Sequence, residues 1–248
     1  MFKESPRLVK VENAEEKEEI ELLEKRDALY VELIEKLPSV KEALALLDGL
    51  PDGLVYHTKA HTEDVIRETI LFALVDGVSD GALEQQVIAA AWHDIGYLER
   101  KSNNEPVAVE YFERSVAQTG LKPEVREEII SNITDTAMVF NDGKPHLHME
   151  HSAIGYMLDA DVSNFGRKDF FVCMEKIAKE TGANLENRES RANFYAFVIT
   201  LLKNHDWHTE GARRLRQKQK DKNLDKLMAE YESLRPRAEE KYRLRRAA

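Results

Sequence analysis

The residues of this sequence best suited to chemistry are an adjacent histidine and aspartate at the polar end of an apolar stretch. His93 and Asp94 follow the apolar residues 87–92, and Gly96 comes two positions later. A buried carboxylate must be paired or must bind a metal ion, because an isolated buried charge is costly. A neutral imidazole beside it is a common ligand of divalent transition metals. The pair indicates a metal site, although such a dipeptide also occurs by chance.

Two further segments offer residues of the same types. His57 and His61 are four positions apart and can share one face of a helix. Asp159 and Asp161 lie at the end of a short apolar segment that leads to Gly166. Either aspartate could bind a metal ion on chemistry alone, so the spacing leaves the choice between them open.

The order of these groups along the chain, His then His-Asp then Asp, resembles the HD-domain superfamily of metal-dependent phosphohydrolases. The likeness is carried by HDIG at residues 93–96 and DADVSNFG at residues 159–166. It covers residues 56–166, with a looser match to about residue 197. In that family four residues bind a divalent metal inside a helical bundle. The resemblance implies an all-α fold and the metal ligands His61, His93, Asp94 and Asp161.

The resemblance also implies roles in catalysis. Asp94 would accept the proton of the attacking water as well as bind the metal. The string YHTKAH at residues 56–61 is similar to the YHNxxH string of cyclic-nucleotide phosphodiesterases, in which the first histidine protonates the leaving oxygen. His57 is therefore a candidate general acid, although Thr58 replaces the asparagine and a histidine at a helix start also occurs without such a role. Asp159 is expected to orient a ligand histidine.

The polar loop after the doublet supplies candidate substrate contacts. Arg100 and Lys101 leave the same helix end as His93 and Asp94, so they could bind a substrate phosphate; solvated loop residues are the alternative. Asn104 and Glu105 resemble an asparagine-glutamate pair that follows the doublet in part of the superfamily, which implies contacts to the substrate or to the ligands.

A second metal ion is a further question that the sequence raises. Relatives with two metals have a histidine near the position of Asp135. A cluster of histidines, His146, His148 and His151, could supply ligands instead, or could lie on the surface. A second His-Asp doublet at His205 lacks the apolar helix and the glycine of the first, so we expect it to be structural.

Composition and charge narrow the classes of function. The chain has 248 residues, and its 36 basic and 46 acidic residues give a formal net charge of −10, which argues against a specific nucleic-acid binder. We expect no membrane span, because no apolar run approaches about 18 residues. Cys173 is the only cysteine, so no intramolecular disulfide can form; we expect it to be buried and the protein to be cytoplasmic.

Hydrophobic periodicity predicts helices throughout the chain. We expect an N-terminal helical extension at 1–50, an HD-type metal-binding helical domain at 51–205 and a charged C-terminal helical extension at 206–248. Individual helices are predicted at 12–37, 40–47, 58–75, 80–91, 107–118, 123–137, 168–181 and 189–203, and from 210 onward. The acidic first helix and the basic last one could pack together or across a homodimer; contact with anionic lipid or RNA is a further alternative.

The function expected from these patterns is hydrolysis of a phosphomonoester or phosphodiester by a metal-activated water. The substrate would be a nucleotide or another small phosphorylated metabolite. Mixed imidazole and carboxylate ligands do not select among Mn, Fe, Co, Ni, Zn and Mg, although Mg is less suited to imidazole. The alternatives are an HD-domain di-iron oxygenase and a non-catalytic metal-binding regulatory protein.

Overall fold

The predicted all-α fold is confirmed by the structure, a computed structural model that describes residues 14–147 and 151–234. The described residues form ten helices. These are α1 (Ala14–Lys36), α2 (Pro38–Leu46), α3 (Lys59–Asp76), α4 (Asp80–Trp92), α5 (Glu105–Val116), α6 (Pro123–Asp135), α7 (Tyr156–Asp161), α8 (Phe170–Thr181), α9 (Arg188–Asn204) and α10 (Glu210–Leu234). Short 3₁₀ turns cover Leu47–Gly49, Ile95–Leu98 and Ser163–Gly166. Most predicted helices begin and end within two residues of the observed ones.

Residues 139–146 form a small hairpin. Strands β1 (Val139–Asn141) and β2 (Lys144–His146) pair antiparallel, with Val139 opposite His146. Asp142 and Gly143 join the strands with φ angles of 51° and 73°. Two successive residues with positive φ are typical of the tight turns whose twist matches that of a hairpin.

Helices α3 and α4 form the centre of the bundle. Helix α4 is apolar on all sides near its C-terminus, where residues 87–92 are all buried, as expected of a helix that is surrounded by others. Helix α3 packs against α4, α7, α1 and α10. It begins at Thr58, whose hydroxyl accepts a hydrogen bond from the backbone N–H of His61 at 3.4 Å. The helices that carry both predicted ligand histidines therefore lie in the core.

The first and last helices of the described chain pack on this centre. Tyr30 of α1 and Leu227 of α10 belong to the same cluster of buried apolar side chains as α3 and α4. Helix α10 packs mainly on α3, α9 and the turn Ser163–Gly166. The acidic first helix and the basic last one, which could pack together, are joined by an ion pair of 3.9 Å between the exposed side chains of Arg214 and Glu18.

Two specific contacts fix the position of α10. Arg216 forms a bidentate ion pair with Glu68 of α3, with nitrogen to oxygen distances of 2.6–2.9 Å. The side-chain amide of Asn223 donates to the backbone carbonyls of Phe165 at 2.9 Å and Arg167 at 2.8 Å. Within the described ranges, none of the helices is apolar over a long enough stretch to cross a lipid bilayer.

Candidate metal centre

Four side chains from three helices meet at one point inside the bundle. His61 lies in the first turn of α3, His93 and Asp94 follow α4, and Asp161 ends α7. His61 Nε2 is 3.1 Å from Asp161 Oδ1 and 3.7 Å from Asp94 Oδ2. His93 Nε2 is 3.4 Å from Asp161 Oδ1 and 3.2 Å from Asp94 Oδ2. The structure brings together the four residues that the resemblance named as ligands, although they span 100 positions of the sequence.

Two of the converging atoms are buried without a hydrogen-bond partner. His93 Nε2 and Asp94 Oδ2 are both inaccessible to solvent, and neither makes a hydrogen bond. Burial of an unsatisfied polar atom costs about 1–3 kcal/mol, and more for a charged group. A divalent cation would satisfy both atoms, because imidazole nitrogen and carboxylate oxygen are its usual ligands. The residues present therefore fit a metal ion.

The ring of His93 is held in the orientation that a metal ligand needs. Its Nδ1 lies 2.8 Å from the backbone carbonyl of Ala90, one turn earlier in α4, so Nδ1 carries the proton and donates it. Nε2 then presents its lone pair to the site. A hydrogen bond of this kind from the second ring nitrogen is the common way in which proteins fix the tautomer of a ligand histidine.

The charges of His93, Asp94 and Asp161 depend on one another. Burial disfavours the charged form of His93, but the carboxylates of Asp94 and Asp161 outweigh it and hold the pKa of His93 well above its ordinary value. Burial likewise raises the pKa of Asp94 and of Asp161, and the neighbouring histidines overcome it, so both carboxyl pKa values lie below their ordinary values. Since a ligand imidazole must be neutral, metal binding would release protons.

His57, the candidate general acid, lies beside this cluster and is held by a glutamate from α8. The Glu180 carboxylate contacts Nδ1 of His57 through Oε1. Its Oε2 accepts hydrogen bonds from the backbone N–H groups of Val55 at 2.9 Å, Tyr56 at 2.8 Å and His57 at 3.2 Å. Glu180 therefore fixes both the side chain and the backbone of His57.

The surroundings of His57 favour its protonated form. Burial lowers the pKa of His57, but the bond to Glu180 and the charge of Asp94 more than offset this, so the pKa is raised. Burial raises the pKa of Glu180, and the contacts with His57 and the backbone outweigh it, which lowers that pKa to about 2. The His57 ring also stacks on Tyr97, with ring centres 4.5 Å apart. These contacts favour the imidazolium form of His57 beside the four converging residues.

Glu180 was missed by the sequence analysis. It lies 123 residues after His57, on a helix that carries one other acidic residue, Glu175. Nothing in the local sequence of Glu180 distinguishes it from Glu175. Only the packing of α8 against residues 55–57 shows its role.

Asp161 lines two large cavities. The larger has a volume of about 510 Å³, and its lining includes His57, Tyr97, Glu105 and Asp161. The smaller, of about 360 Å³, includes His61, Asp161 and Arg167, together with several other polar and charged residues. The candidate site is therefore accessible from two sides, one largely apolar and one polar.

The candidate substrate residues after the doublet lie in different surroundings. Arg100 and Lys101 are exposed, and neither lines the two cavities. Asn104 is buried; its backbone carbonyl accepts from Ala108 at 3.0 Å. Glu105 lines the larger cavity. Of the four, Glu105 is the one that the structure places beside the converging residues.

The expectation that Asp159 orients a ligand histidine is wrong. Its Oδ1 accepts from the backbone N–H of His208 at 2.9 Å. Its Oδ2 accepts from the backbone N–H and the hydroxyl of Thr209, at 2.8 Å and 2.7 Å. Asp159 therefore holds the segment that precedes α10. The physical reason is that the N–H groups at a helix start need acceptors, and a buried carboxylate two residues before Asp161 supplies them.

A second metal position finds no support among the described residues. Asp135 is buried, and its Oδ2 accepts from the backbone N–H groups of His151 and Ser152 and from the Ser152 hydroxyl, at 2.7–3.0 Å. The ring of His151 is exposed, His146 is half-buried on β2, and His148 lies outside the described residues. Among the residues described, His61, His93 and Asp161 form the one group of at least three such side chains that is arranged for metal binding.

The second doublet and the cysteine are structural, as expected. His205 is buried; its Nδ1 accepts from Lys220 Nζ at 3.0 Å, and its ring packs on Phe165 and Trp207. Burial, reinforced by the charge of Lys220, lowers the pKa of His205 to about 3, so this histidine is neutral. Cys173 is buried on α8.

Comparison with known proteins adds no relative to this description. No family model, curated protein or solved structure matches the chain. The interpretation of the site therefore rests on the residues and distances described above.

Proposed function

We propose that this protein is a metal-dependent phosphohydrolase that cleaves a small phosphomonoester or phosphodiester with water. The observation that carries the proposal is the convergence of His61, His93, Asp94 and Asp161 around buried ligand atoms that have no partner of their own. A divalent ion at this point supplies positive charge that acidifies water and offsets the charge of the phosphate oxygens.

The residues of the chain would divide the remaining work. Asp94 has one oxygen at the ligand cluster, and its carboxylate is held ionised by the histidines beside it. It can therefore accept the proton of the attacking water. Asp161 and the two histidines would hold the ion in place. The ion would in turn supply the positive charge that positions the phosphate.

His57 and Glu180 would act at the other end of the bond that breaks. The alkoxide that leaves phosphorus is a strong base and needs a proton as the bond cleaves. The surroundings of His57 favour its protonated form, and its ring lies next to His61 and borders the larger cavity. Glu180 holds the ring through Nδ1, so Nε2 is the nitrogen that delivers the proton. Water would later return a proton to the imidazole.

The test is a joint measurement of metal content and turnover. Wild-type protein loaded with Mn²⁺, Co²⁺, Ni²⁺ or Mg²⁺ should bind about one ion per chain and hydrolyse aryl and alkyl phosphates. Asp94→Asn and His93→Ala should lose both properties. Asp206→Asn and His208→Ala, at exposed positions of the second doublet region, serve as controls and should retain both.

The outcomes also distinguish the alternatives. One bound ion and no turnover of any phosphoester would favour a regulatory protein and contradict the proposal. Two bound irons would favour the oxygenase. We do not propose the oxygenase, because Asp135 already accepts three hydrogen bonds and no second group of ligand atoms converges in the described residues.

A further inference from the structure

The larger cavity has an apolar wall that the proposed chemistry alone does not require. Away from the site it is lined by side chains of α8 and α9 and of the turn before α8. These include Phe165, Met174, Ile177, Phe194, Phe197 and Leu201. Its volume of about 510 Å³ falls within the range of about 300–1,000 Å³ that is usual for small-molecule sites.

The charge of the lining excludes one class of ligand. Among the described residues that line this cavity there is no lysine or arginine, whereas Glu105 and Asp161 are acidic. A ligand with further phosphate groups would need cationic partners to compensate its charge. The cavity therefore does not suit the di- or triphosphate part of a nucleotide.

Some of the polar groups that line the cavity lie at the candidate metal centre. Asp161 belongs to that centre, His57 lies next to His61, and Tyr97 stacks on His57. A phosphate ester that places phosphorus there would direct its alcohol part along the apolar wall. A phosphate bound there would lie beside His57. A proton donor must lie at that place if it is to protonate the leaving oxygen.

We propose that the cavity binds the apolar alcohol part of the substrate, so that the substrate is a phosphate ester of an aliphatic or aromatic alcohol rather than a nucleotide. This inference rests on the proposed function for the orientation of the ligand. The cavity binds the apolar group whether or not the phosphate is cleaved, and the two statements can be tested separately.

The experiment measures binding of non-hydrolysable alkylphosphonates by calorimetry. Methyl-, butyl-, hexyl- and octylphosphonate would be titrated into Mn²⁺-loaded and into chelator-treated protein, beside the adenosine 5′-phosphonate counterpart. Affinity should rise with chain length, by up to about fourfold for each methylene that is buried. The slope should persist after chelation, because it arises from the alkyl chain. The adenosine compound should bind more weakly than octylphosphonate.

Two variants of one wall residue make the assignment specific. Ile177→Asp places a charge on the cavity wall and Ile177→Trp fills the space; both should flatten the dependence on chain length while methylphosphonate binds as before. Val172→Asp, on the same helix but 54% exposed, is the matched control and should leave the dependence unchanged. Circular dichroism establishes that each variant is folded.

Each outcome has a distinct meaning. Affinity that does not change with chain length, or that is unaffected by both Ile177 variants, would overturn the assignment of the cavity, as would tighter binding of the adenosine compound. A chain-length dependence in a protein that hydrolyses no phosphate ester would support the cavity and contradict the proposed function. Turnover of small phosphates without any chain-length dependence would support the proposed function and contradict the assignment of the cavity.

Discussion

At the scale of single residues, the chemistry of the site depends on how each histidine is held. His93 donates Nδ1–H to the Ala90 carbonyl at 2.8 Å, whereas His57 is held by Glu180. In the first arrangement Nδ1 makes the hydrogen bond, so that Nε2 faces the site and could bind a metal ion once it has lost its proton. In the second, the Glu180 carboxylate favours the imidazolium form of His57. Two histidines within one cluster are thus suited to different tasks because of the group that each one contacts.

The role of Glu180 can be tested through the leaving group. Glu180→Gln keeps the shape of the side chain but weakens its hold on the His57 proton. We expect kcat for an alkyl phosphate to fall about tenfold to a hundredfold, within the contribution of a positioned proton donor. Hydrolysis of 4-nitrophenyl phosphate should change little, because its leaving group is stable as an anion.

Controls separate positioning from general damage. Glu175→Gln, at an exposed position of the same helix, should leave both substrates unaffected. Combining His57→Ala with Glu180→Gln should cost no more than His57→Ala alone, since both remove the same proton transfer. Equal losses on both substrates for Glu180→Gln would contradict a positioning role.

Glu180 should also contribute to stability in a way that depends on pH. Its pKa is about 2 in the folded protein, below the ordinary value of 4.5, so the folded state binds fewer protons than the unfolded state between these values. A depressed carboxyl pKa contributes stability above the unfolded value, and this contribution is lost as pH falls. The wild type should therefore exceed Glu180→Gln in stability at pH 5, and the difference should shrink towards pH 2. Urea unfolding at a series of pH values measures this; a constant difference would contradict it.

How far the sequence predicted the site also differs from residue to residue. The four converging residues could be named because HDIG and DADVSNFG are local strings that resemble a known family pattern. Asp159 belongs to the same string, yet its role depends on where residues 208 and 209 lie in space. Glu180 could not be found at all, because its partner is 123 positions away.

At the scale of elements, the sharp exit from α4 positions the doublet. Gly96 lies two residues after Asp94, in the 3₁₀ turn Ile95–Leu98. A Cβ at this position would lie 2.0 Å from the backbone carbonyl oxygen of Asn104. Gly96 is needed because the start of α5 packs directly against the turn.

Replacing Gly96 should therefore disturb both the fold and the site. Gly96→Ala forces Asn104 or the turn to move, and we expect a loss of about 1–3 kcal/mol in the free energy of unfolding together with weaker metal binding. Gly81→Ala is the matched control, since nothing lies within 4 Å of a Cβ there. In the first turn of α4 this change should be neutral or stabilising by about 0.5–1 kcal/mol. Chemical denaturation measures the free energy of unfolding of both variants, and metal titration measures their affinity for the ion. If both quantities are unchanged in Gly96→Ala, the packing argument is contradicted.

Helices were predicted well because their signals are local. Periodic apolar residues, the cap at Thr58 and the left-handed Gly77 at the end of α3 all act within a few residues. The strands of the hairpin were not predicted, since only the turn between them has a local signal at Asp142 and Gly143. Which helices become neighbours depends on contacts between distant residues.

At the scale of the whole molecule, the C-terminal helix helps to position a candidate metal ligand. Asp159 binds the segment before α10, and the candidate ligand Asp161 lies two residues further along α7. Asn223 of α10 also binds the backbone of Phe165 and Arg167, just after that ligand. The charged C-terminal segment was expected to be an extension of the metal-binding domain. The described part of it packs on α3 and on the turn that follows Asp161.

The ion pair between Arg216 and Glu68 should be important for this packing. Removing the guanidinium leaves the buried Glu68 carboxylate without its partner, a change that typically costs about 3 kcal/mol or more. Arg216→Met should lower the free energy of unfolding by about this amount. Arg214→Met, on an exposed part of the same helix, should change it by less than about 0.5 kcal/mol. Equal effects in urea unfolding would show that the pair does not hold α10 in place.

The most direct test of the account is the location of a bound ion in the molecule. Anomalous diffraction from crystals grown with Mn²⁺ should show a peak about 2.0–2.3 Å from Nε2 of His61, Nε2 of His93 and an oxygen of each aspartate, Asp94 and Asp161. The same crystals of Asp94→Asn should show a weaker peak or none. A strong peak at another position, or none in the wild type at saturating Mn²⁺, would contradict the claim that these four side chains form a metal centre.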